Sequence, residues 1–149
     1  MREPIVADST SLIALERIDA LTVLPAMFEP VLIPPEVEHE FGAAYPWLKV
    51  EVPTNQALVS SLKLLLGDGE AAAIALASQH RLPIILDDRQ ARTVARQLGL
   101  RVIGTVGCAL KAKQAGVVAA VKPLIEKLEE QGFYLSPALK TESLRLAGE

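Results

Sequence analysis

Residues 66–88 read LGDGEAAAIALASQHRLPIILDD, and this stretch decides how the chain folds. Glycines at its start precede an alanine-rich helical pattern over residues 70–79, and the apolar run PIIL that follows predicts a buried strand. A helix leading into a strand that is apolar on both faces is typical of a parallel sheet covered by helices. The stretch therefore predicts a helix–strand unit with acidic residues at both ends, Glu70 before it and Asp87 and Asp88 after it.

The same alternation of short apolar runs and helical patterns extends over the whole chain. Further strands are predicted at residues 5–7, 30–34, 47–52 and 101–104. Further helices are predicted from Ser9 or Thr10 to Arg17 and over residues 19–28, 34–41, 55–66, 88–98 and 105–115, with two more near the end. Pro25 is expected to delay or kink the helix over residues 19–28. Strands separated by helices imply right-handed crossovers and a parallel sheet. We therefore predict an α/β fold, a three-layer α/β/α arrangement with a central parallel sheet of four or five strands, and a single domain over residues 1–149.

The composition limits the classes of function. The net charge of −3 gives no overall attraction to nucleic acid, so binding of RNA would need a local basic surface or bound cations. One cysteine, Cys108, and two histidines, His39 and His80, form neither a disulfide framework nor a zinc cluster. We expect a cytoplasmic protein, because the chain enters a strand without a secretory signal and no apolar run reaches the roughly 18 residues of a membrane span.

The acidic residues follow a pattern that indicates a ligand site. Asp8 directly follows the first predicted strand, and Asp87 and Asp88 directly follow the fourth. Ligands of open α/β sheets bind outside the carboxyl ends of the strands, so these acids meet at one edge if the two strands are neighbours. Glu70 and one or two of the acids on the helix after the second strand, Glu36, Glu38 and Glu40, are further candidates for that edge. Of these three, Glu36 and Glu40 share a helix face by their spacing.

Converging carboxylates predict a divalent cation. They raise each other's pKa and destabilise the fold unless a cation neutralises them. Oxygen-only ligands suit Mg²⁺ or Mn²⁺, and two such ions about 3.5–4 Å apart assist phosphodiester hydrolysis by water. The competing interpretation is that Asp68, Glu70 and Asp88 cap or open helices.

Four segments resemble the PIN-domain superfamily, metal-dependent ribonucleases that include the VapC-like toxins of toxin–antitoxin systems. The segments are VADSTSLIAL near the start, VLIPPEVEHEF after the second strand, GDGEAAAIALA in the middle and IILDDRQAR after the fourth strand. The sequence looks most similar to a poorly characterised branch with Gly-Glu-Ala and Asp-Asp motifs. Many relatives carry aspartate at the third acid and a Thr-x-Asp pattern at the fourth, where this chain has Glu70 and LDD.

The resemblance implies a role for each matching residue. It implies that four acids are catalytic and bind Mg²⁺ or Mn²⁺, namely Asp8, Glu40, Glu70 and Asp88. It also implies a supporting hydroxyl at Thr10, with Asp87 as an alternative metal ligand. The activity implied is that of an endoribonuclease, the toxin of a toxin–antitoxin pair, with RNA as substrate and a small antitoxin protein as partner. Apolar helix pairs near both ends of the chain predict a homodimer or a groove for a helix of the antitoxin, although burial in the core explains them as well.

A basic stripe of Arg89, Arg92 and Arg96 lies at helical spacing after the acids. We predict that Arg89 and Arg92 contact substrate phosphates, although a solvated helix face or pairing of Arg92 with a nearby acid explains the spacing as well. Aromatic residues make up only 4% of the chain, so no base-stacking platform is evident.

Two other functions remain open at this stage. One is a PIN-like binding module with little catalysis, acting on nucleic acid or protein. The other is a phosphoacceptor aspartate domain with one Mg²⁺, although its acid pair would not be expected after the fourth strand. No G-x-S-x-G elbow, G-x-G-x-x-G motif or phosphate loop occurs in the sequence, which disfavours a serine hydrolase and the nucleotide-cofactor folds.

Overall fold

The computed structural model describes residues 2–149, which form one sheet with helices around it. In chain order the strands are β1 (Glu3–Ala7), β2 (Phe28–Ile33), β3 (Leu48–Val50), β4 (Ile84–Ile85) and β5 (Val102–Ile103). The helices are α1 (Ser9–Arg17), α2 (Val23–Met27), α3 (Pro35–Phe41), α4 (Gln56–Leu62), α5 (Asp68–His80), α6 (Arg89–Gln97), α7 (Thr105–Gln114), α8 (Lys122–Glu130) and α9 (Pro137–Leu146). All strand pairs are parallel, which confirms the predicted fold class. None of the helices in residues 2–149 is both long and apolar enough to cross a membrane.

Strand β1 lies at the centre of the sheet, whose order is β3-β2-β1-β4-β5. Its last three residues are fully buried, because neighbours pair with it on both sides and helices cover both faces. In the β1–β4 register, Ala7 is the partner of Ile85. The chain leaves β1 toward β2 on one side and returns to β4 on the other, so the switch point of the sheet lies between β1 and β4. Asp8 and the residues that follow β4 therefore come to the same edge.

Helix α5 is buried almost all round, as expected for a helix that is apolar on every face. Residues 71–77 each expose 1% or less of their surface. Five of these seven are alanine, whose small side chains allow α5 to pack closely against α3, α4 and β1. The buried body of α5 fixes the position of its first turn, which carries Gly69 and Glu70.

The helix predicted over residues 55–66 ends early, because α4 covers only Gln56–Leu62, and two further expectations were wrong in their bounds. The helix predicted over residues 19–28 is only α2, because Asp19 adopts a left-handed φ of 55°, Pro25 falls in the first turn of the short helix and Phe28 joins β2. The N-cap position of α1 is occupied by Asp8 instead of Ser9 or Thr10. This second difference matters for the site, because Asp8 is also its first candidate ligand.

Candidate active site

A cleft of about 550 Å³ opens at the carboxyl ends of β1 and β4. Each of the acids assigned from the sequence lines this cleft, together with the supporting hydroxyl: Asp8, Thr10, Glu40, Glu70, Asp87 and Asp88. The condition on which their meeting depended, that the first and fourth strands are neighbours, is fulfilled by the sheet order. The structure therefore brings together side chains that are as much as 80 residues apart in the sequence.

Asp8 lies at the floor of the cleft and is not explained by helix capping. It occupies the N-cap position of α1, but its side chain accepts no capping hydrogen bond. Its Oδ1 is the only buried side-chain nitrogen or oxygen in residues 2–149 that lacks a hydrogen-bond partner. Burial raises the pKa of Asp8 to about 7; the backbone N–H of Ser9 opposes this rise in part, and the charges of Glu70, Glu40 and Asp87 add to it. An unpartnered carboxylate oxygen in this position has a strong need for a cation or a proton.

Glu70 stands half-buried in the first turn of α5 and lines the same cleft as Asp8. Burial raises its pKa, as do the charges of Asp88 and Glu40, while a hydrogen bond from the backbone of Gly67 lowers it. The carboxylate folds back over the turn that precedes the helix, since its Oε1 lies 3.6 Å from the place where a Cβ on Gly67 would be. The extra methylene of glutamate is thus accommodated by the glycine turn.

Glu40 is the acid of α3 that reaches the cleft. A Cβ on Gly69 would overlap its carboxylate oxygen, so the absence of a side chain at Gly69 is what leaves room for Glu40. Glu36 turns to an ion pair with Lys63 at 3.5 Å instead, and Glu38 is exposed outside the cleft. The Gly-Glu part of the Gly-Glu-Ala motif therefore has two physical roles, one residue making space and the next providing a carboxylate.

The two adjacent aspartates after β4 differ in their surroundings. Asp88 is exposed and caps α6, with Oδ2 accepting from the Ala91 N–H at 2.9 Å, so the capping interpretation holds for this residue and uses one of its oxygens. Asp87 accepts from the N–H of Thr105 at 2.8 Å and from its hydroxyl at 2.5 Å. Burial raises the pKa of Asp87, whereas the two bonds from Thr105 and the charge of Arg92 lower it. Asp87 thus ties β4 to the start of α7, and Asp88 is the freer of the two toward the cleft.

The donor chemistry of the cleft fits a hard divalent cation. Its ligands would all be carboxylate oxygens, which Mg²⁺ and Mn²⁺ prefer, and Asp8 contributes an oxygen without any other partner. Within residues 2–149 no three His, Cys, Asp or Glu side chains form a ready-made metal-binding group. A cation in this cleft would therefore be held by the acids nearest to it and by water, as is usual for Mg²⁺.

The arginine stripe divides into one inward and two outward residues. Arg92 is half-buried, with its guanidinium 3.4 Å from the carbonyl of Leu86 and its charge beside Asp87. This is the acid-facing position that the sequence left open for it. Arg89 and Arg96 are exposed, and Arg89 begins α6 directly after the cleft residue Asp88. Contact of Arg89 or Arg92 with a substrate stays a prediction.

Sequence reasoning missed the wall of the cleft that comes from the end of the chain. Gly132, Phe133 and Tyr134, in the turn between α8 and α9, line the cleft, and 81% of the Tyr134 surface is exposed. Folding thus brings two of the few aromatic residues beside the acids, a proximity that is not evident from the sequence. The one available signal was a pair of aromatic residues directly after a glycine in a chain poor in aromatics.

The fold and the cleft together define an α/β domain with a parallel sheet and with carboxylates gathered at its switch point. A family model described as a PIN domain matches residues 4–149, and the chain belongs to this family. PIN domains are generally nucleases, and therefore hydrolases, that bind nucleic acids and use divalent metal ions. Comparison with curated proteins found no significant match.

Proposed function

We propose that the protein is a Mg²⁺- or Mn²⁺-dependent endoribonuclease of the VapC-like branch. In this proposal Asp8, Glu40, Glu70 and Asp88 hold the cations, and Thr10 supports them. The observation that carries the proposal is the buried, unpartnered Oδ1 of Asp8 at the floor of a cleft whose other walls carry the remaining acids. A buried carboxylate oxygen with no partner in the protein costs stability, and binding a cation would remove that cost.

Each of these residues has a distinct task in the proposed reaction. A bound divalent cation would polarise the phosphodiester and lower the pKa of a water molecule. Asp8, ionised when the cation binds, fixes the floor of the site, while Glu70 and Glu40 orient ligands and water from α5 and α3. Asp88 completes the wall with the carboxylate oxygen that does not cap α6. Thr10, exposed at the cleft, offers a hydroxyl to a phosphate oxygen or to a water molecule.

The experiment that tests this function compares cleavage of RNA by purified variants with added Mn²⁺. Asp8→Asn and Glu40→Gln should abolish cleavage, while the control variants Asp19→Asn and Glu38→Gln, on exposed acids outside the cleft, should cleave like the wild type. Glu38 and Glu40 lie on the same helix, so this pair separates position in the cleft from general loss of negative charge. Equal cleavage by wild type and Asp8→Asn, or no Mn²⁺-stimulated cleavage by a folded wild type, contradicts the proposal. A matched DNA substrate shows whether the preference is for RNA.

The toxin role, the antitoxin partner and the homodimer belong to the same proposal. Leu64 and Leu65, in the turn before α5, are 86% and 59% exposed, which is compatible with burial against a partner chain. Expression of the active chain should arrest growth, and expression of Asp8→Asn should not. Light scattering of the purified protein measures whether it is a dimer.

A catalytically weak nucleic-acid or protein binding module is the second candidate. It is favoured by the lack of a ready-made metal-binding group in residues 2–149. Its signature is binding of RNA or a protein that a chelator leaves unchanged, without cleavage by the wild type.

A further inference from the structure

A second cavity, of about 320 Å³, adjoins the acidic cleft on the side of α1. The two cavities share Thr10, Gly132 and Phe133, so their surfaces are continuous. The other walls of the second cavity are Ile13, Ala14, Arg17, Leu128 and Gln131. Its volume lies at the lower end of the usual range for ligand pockets, about 300–1,000 Å³. It is therefore suited to one small, partly apolar group that is attached to whatever occupies the cleft.

We propose that this second cavity binds one nucleotide of single-stranded RNA, next to the phosphodiester that lies in the acidic cleft. The base packs against Phe133 and reaches Tyr134 on the adjoining wall of the cleft, and a neighbouring phosphate meets Arg17. This proposal rests on the proposed function and names the form in which the substrate is recognised.

The chemistry of the cavity walls matches an unstacked base. Phe133, Ile13 and Leu128 provide apolar surface, and the amide of Gln131 can both donate to and accept from the edge of a base. Tyr134 stands beside them on the cleft wall, largely uncovered by the protein. Bases pack on exposed aromatic side chains only when they are not already stacked within a duplex. The walls therefore favour a single strand over a double helix.

The charges also assign a direction to the bound strand. The acidic cleft repels phosphates unless cations are present, whereas Arg17 places a positive charge on the wall of the second cavity. Arg17 makes no ion pair with any residue between 2 and 149. The acidic residue next to it, Glu16, accepts a hydrogen bond from Tyr45 at 2.8 Å. Thr10 and Arg17 are seven residues apart and share a face of α1, which spans about 10 Å between them. A strand along this face would run from the acids to Arg17.

The turn after α8 is what holds the aromatic wall in place. Gly132 has a φ of 86°, a left-handed conformation that favours glycine at the end of a helix. The next N–H, that of Phe133, donates to the carbonyl of Leu128 at 2.9 Å and closes the turn. Phe133 is thereby fixed against the core while Tyr134 projects beside the cleft. Tyr134 can thus be replaced with little effect on folding.

The test measures binding of a fluorescent single-stranded oligoribonucleotide by anisotropy, in an Asp8→Asn background that prevents the proposed hydrolysis. Tyr134→Ala should weaken binding roughly ten-fold, whereas Tyr134→Phe, which keeps the ring, should bind like its parent. Leu146→Ala removes an exposed apolar side chain elsewhere and should have no effect. Arg17→Gln should reduce the dependence of binding on salt by about one phosphate contact.

A second set of probes locates the base. In a series of oligoribonucleotides that each lack one base, the loss of affinity should be largest when the base at one particular position is missing. This loss should vanish in Tyr134→Ala, because the aromatic ring that packs on that base is already gone. Any of four results overturns the proposed subsite. They are equal affinity of Tyr134→Ala and its parent, an abasic effect that is the same in both, equally tight binding of duplex RNA, and no RNA binding at all.

The two proposals fail in different ways. If the wild type does not cleave RNA but binding depends on Tyr134 as described, the nuclease proposal fails and the subsite stands. If the wild type cleaves and Tyr134→Ala changes neither binding nor KM, the subsite fails and the nuclease proposal stands.

Discussion

Replacing Asp8 by asparagine should stabilise the cation-free protein at pH 8. Burial raises the pKa of this carboxyl from 3.8 to about 7, so the folded state resists its ionisation. Each pKa unit corresponds to about 1.4 kcal/mol, which gives an upper limit of about 4 kcal/mol for the cost of the buried charge at pH 8. Asparagine has the same shape and no charge. The asparagine amide would still lack a hydrogen-bond partner in this position, and this lowers the benefit of removing the charge. We expect a gain of about 2–4 kcal/mol in the free energy of unfolding.

The sign of the effect depends on pH. Below about pH 4 the carboxyl is protonated in both the folded and the unfolded state, and the wild type carries no penalty. Between pH 4 and pH 7 the unfolded state loses its proton first, so the contribution of Asp8 to stability falls as pH rises. The difference in stability between Asp8→Asn and wild type should therefore be small at pH 4, grow through this window and level off above pH 7.

Urea unfolding with a chelator present, at several pH values, measures this difference, and Asp19→Asn on an exposed loop is the matched control. Adding Mg²⁺ or Mn²⁺ at pH 8 should stabilise the wild type in proportion to the logarithm of the cation concentration, with a much smaller effect on Asp8→Asn. The reasoning is refuted if Asp8→Asn is destabilised by the same amount at pH 4 and pH 8. That result would mean that the contribution of Asp8 to stability does not depend on its ionisation.

Three further predictions concern the walls of the cleft. Gly69→Ala should leave the free energy of unfolding unchanged or raise it by up to about 1 kcal/mol. It should nevertheless lower RNA cleavage, because its methyl group displaces the Glu40 carboxylate. In a Glu40→Gln background, Gly69→Ala should have no further effect on cleavage. Asp88→Asn should keep the helix cap and the melting temperature but lose Mn²⁺-dependent cleavage. Asp88→Ala should lose cleavage and also about 1 kcal/mol of the free energy of unfolding, because the cap is gone. Cleavage by Asp88→Asn at the wild-type rate would limit Asp88 to capping. Thr105→Val should destabilise the fold by about 1–3 kcal/mol in chemical unfolding, because Asp87 stays buried and loses a hydrogen-bond donor. The affinity for Mn²⁺, measured by calorimetry, should not change. A large loss of this affinity would instead support Asp87 as a metal ligand.

The alternation of strands and helices in the sequence predicted the fold. The rule that ligands bind outside the carboxyl ends of parallel strands then predicted the edge where the acids meet. This succeeded because strands such as residues 83–86 are apolar on both faces. It also succeeded because Asp8 directly follows β1 and the two aspartates lie just after β4, the neighbouring strand. The same reasoning expected Pro25 to delay the helix before Phe28, but it did not predict the left-handed conformation of Asp19, and it made the helix too long.

Long-range packing explains what the sequence did not reveal about the site. Nothing near Gly69 in the sequence indicates that Glu40, from another helix, lies against it. Tyr134 is separated from every acid of the cleft by more than forty residues of unrelated pattern. The different surroundings of Asp87 and Asp88 depend on Thr105, which the strand β5 brings back beside β4. Such contacts follow from the assembled sheet and not from local periodicity.

The arrangement at the cleft separates what holds the fold from what can bind a cation. Asp87 spends both of its oxygens on Thr105, so it stabilises the junction of β4 and α7 without any cation. Asp8, buried to 97%, has an oxygen with no partner, and its charge can be held at neutral pH only at a cost to stability. The close packing of α5 offsets this cost and keeps Glu70 in position. A fold that tolerates such a carboxylate at its centre gains the most stability from a cation, so binding and stability should rise together with the concentration of Mg²⁺ or Mn²⁺.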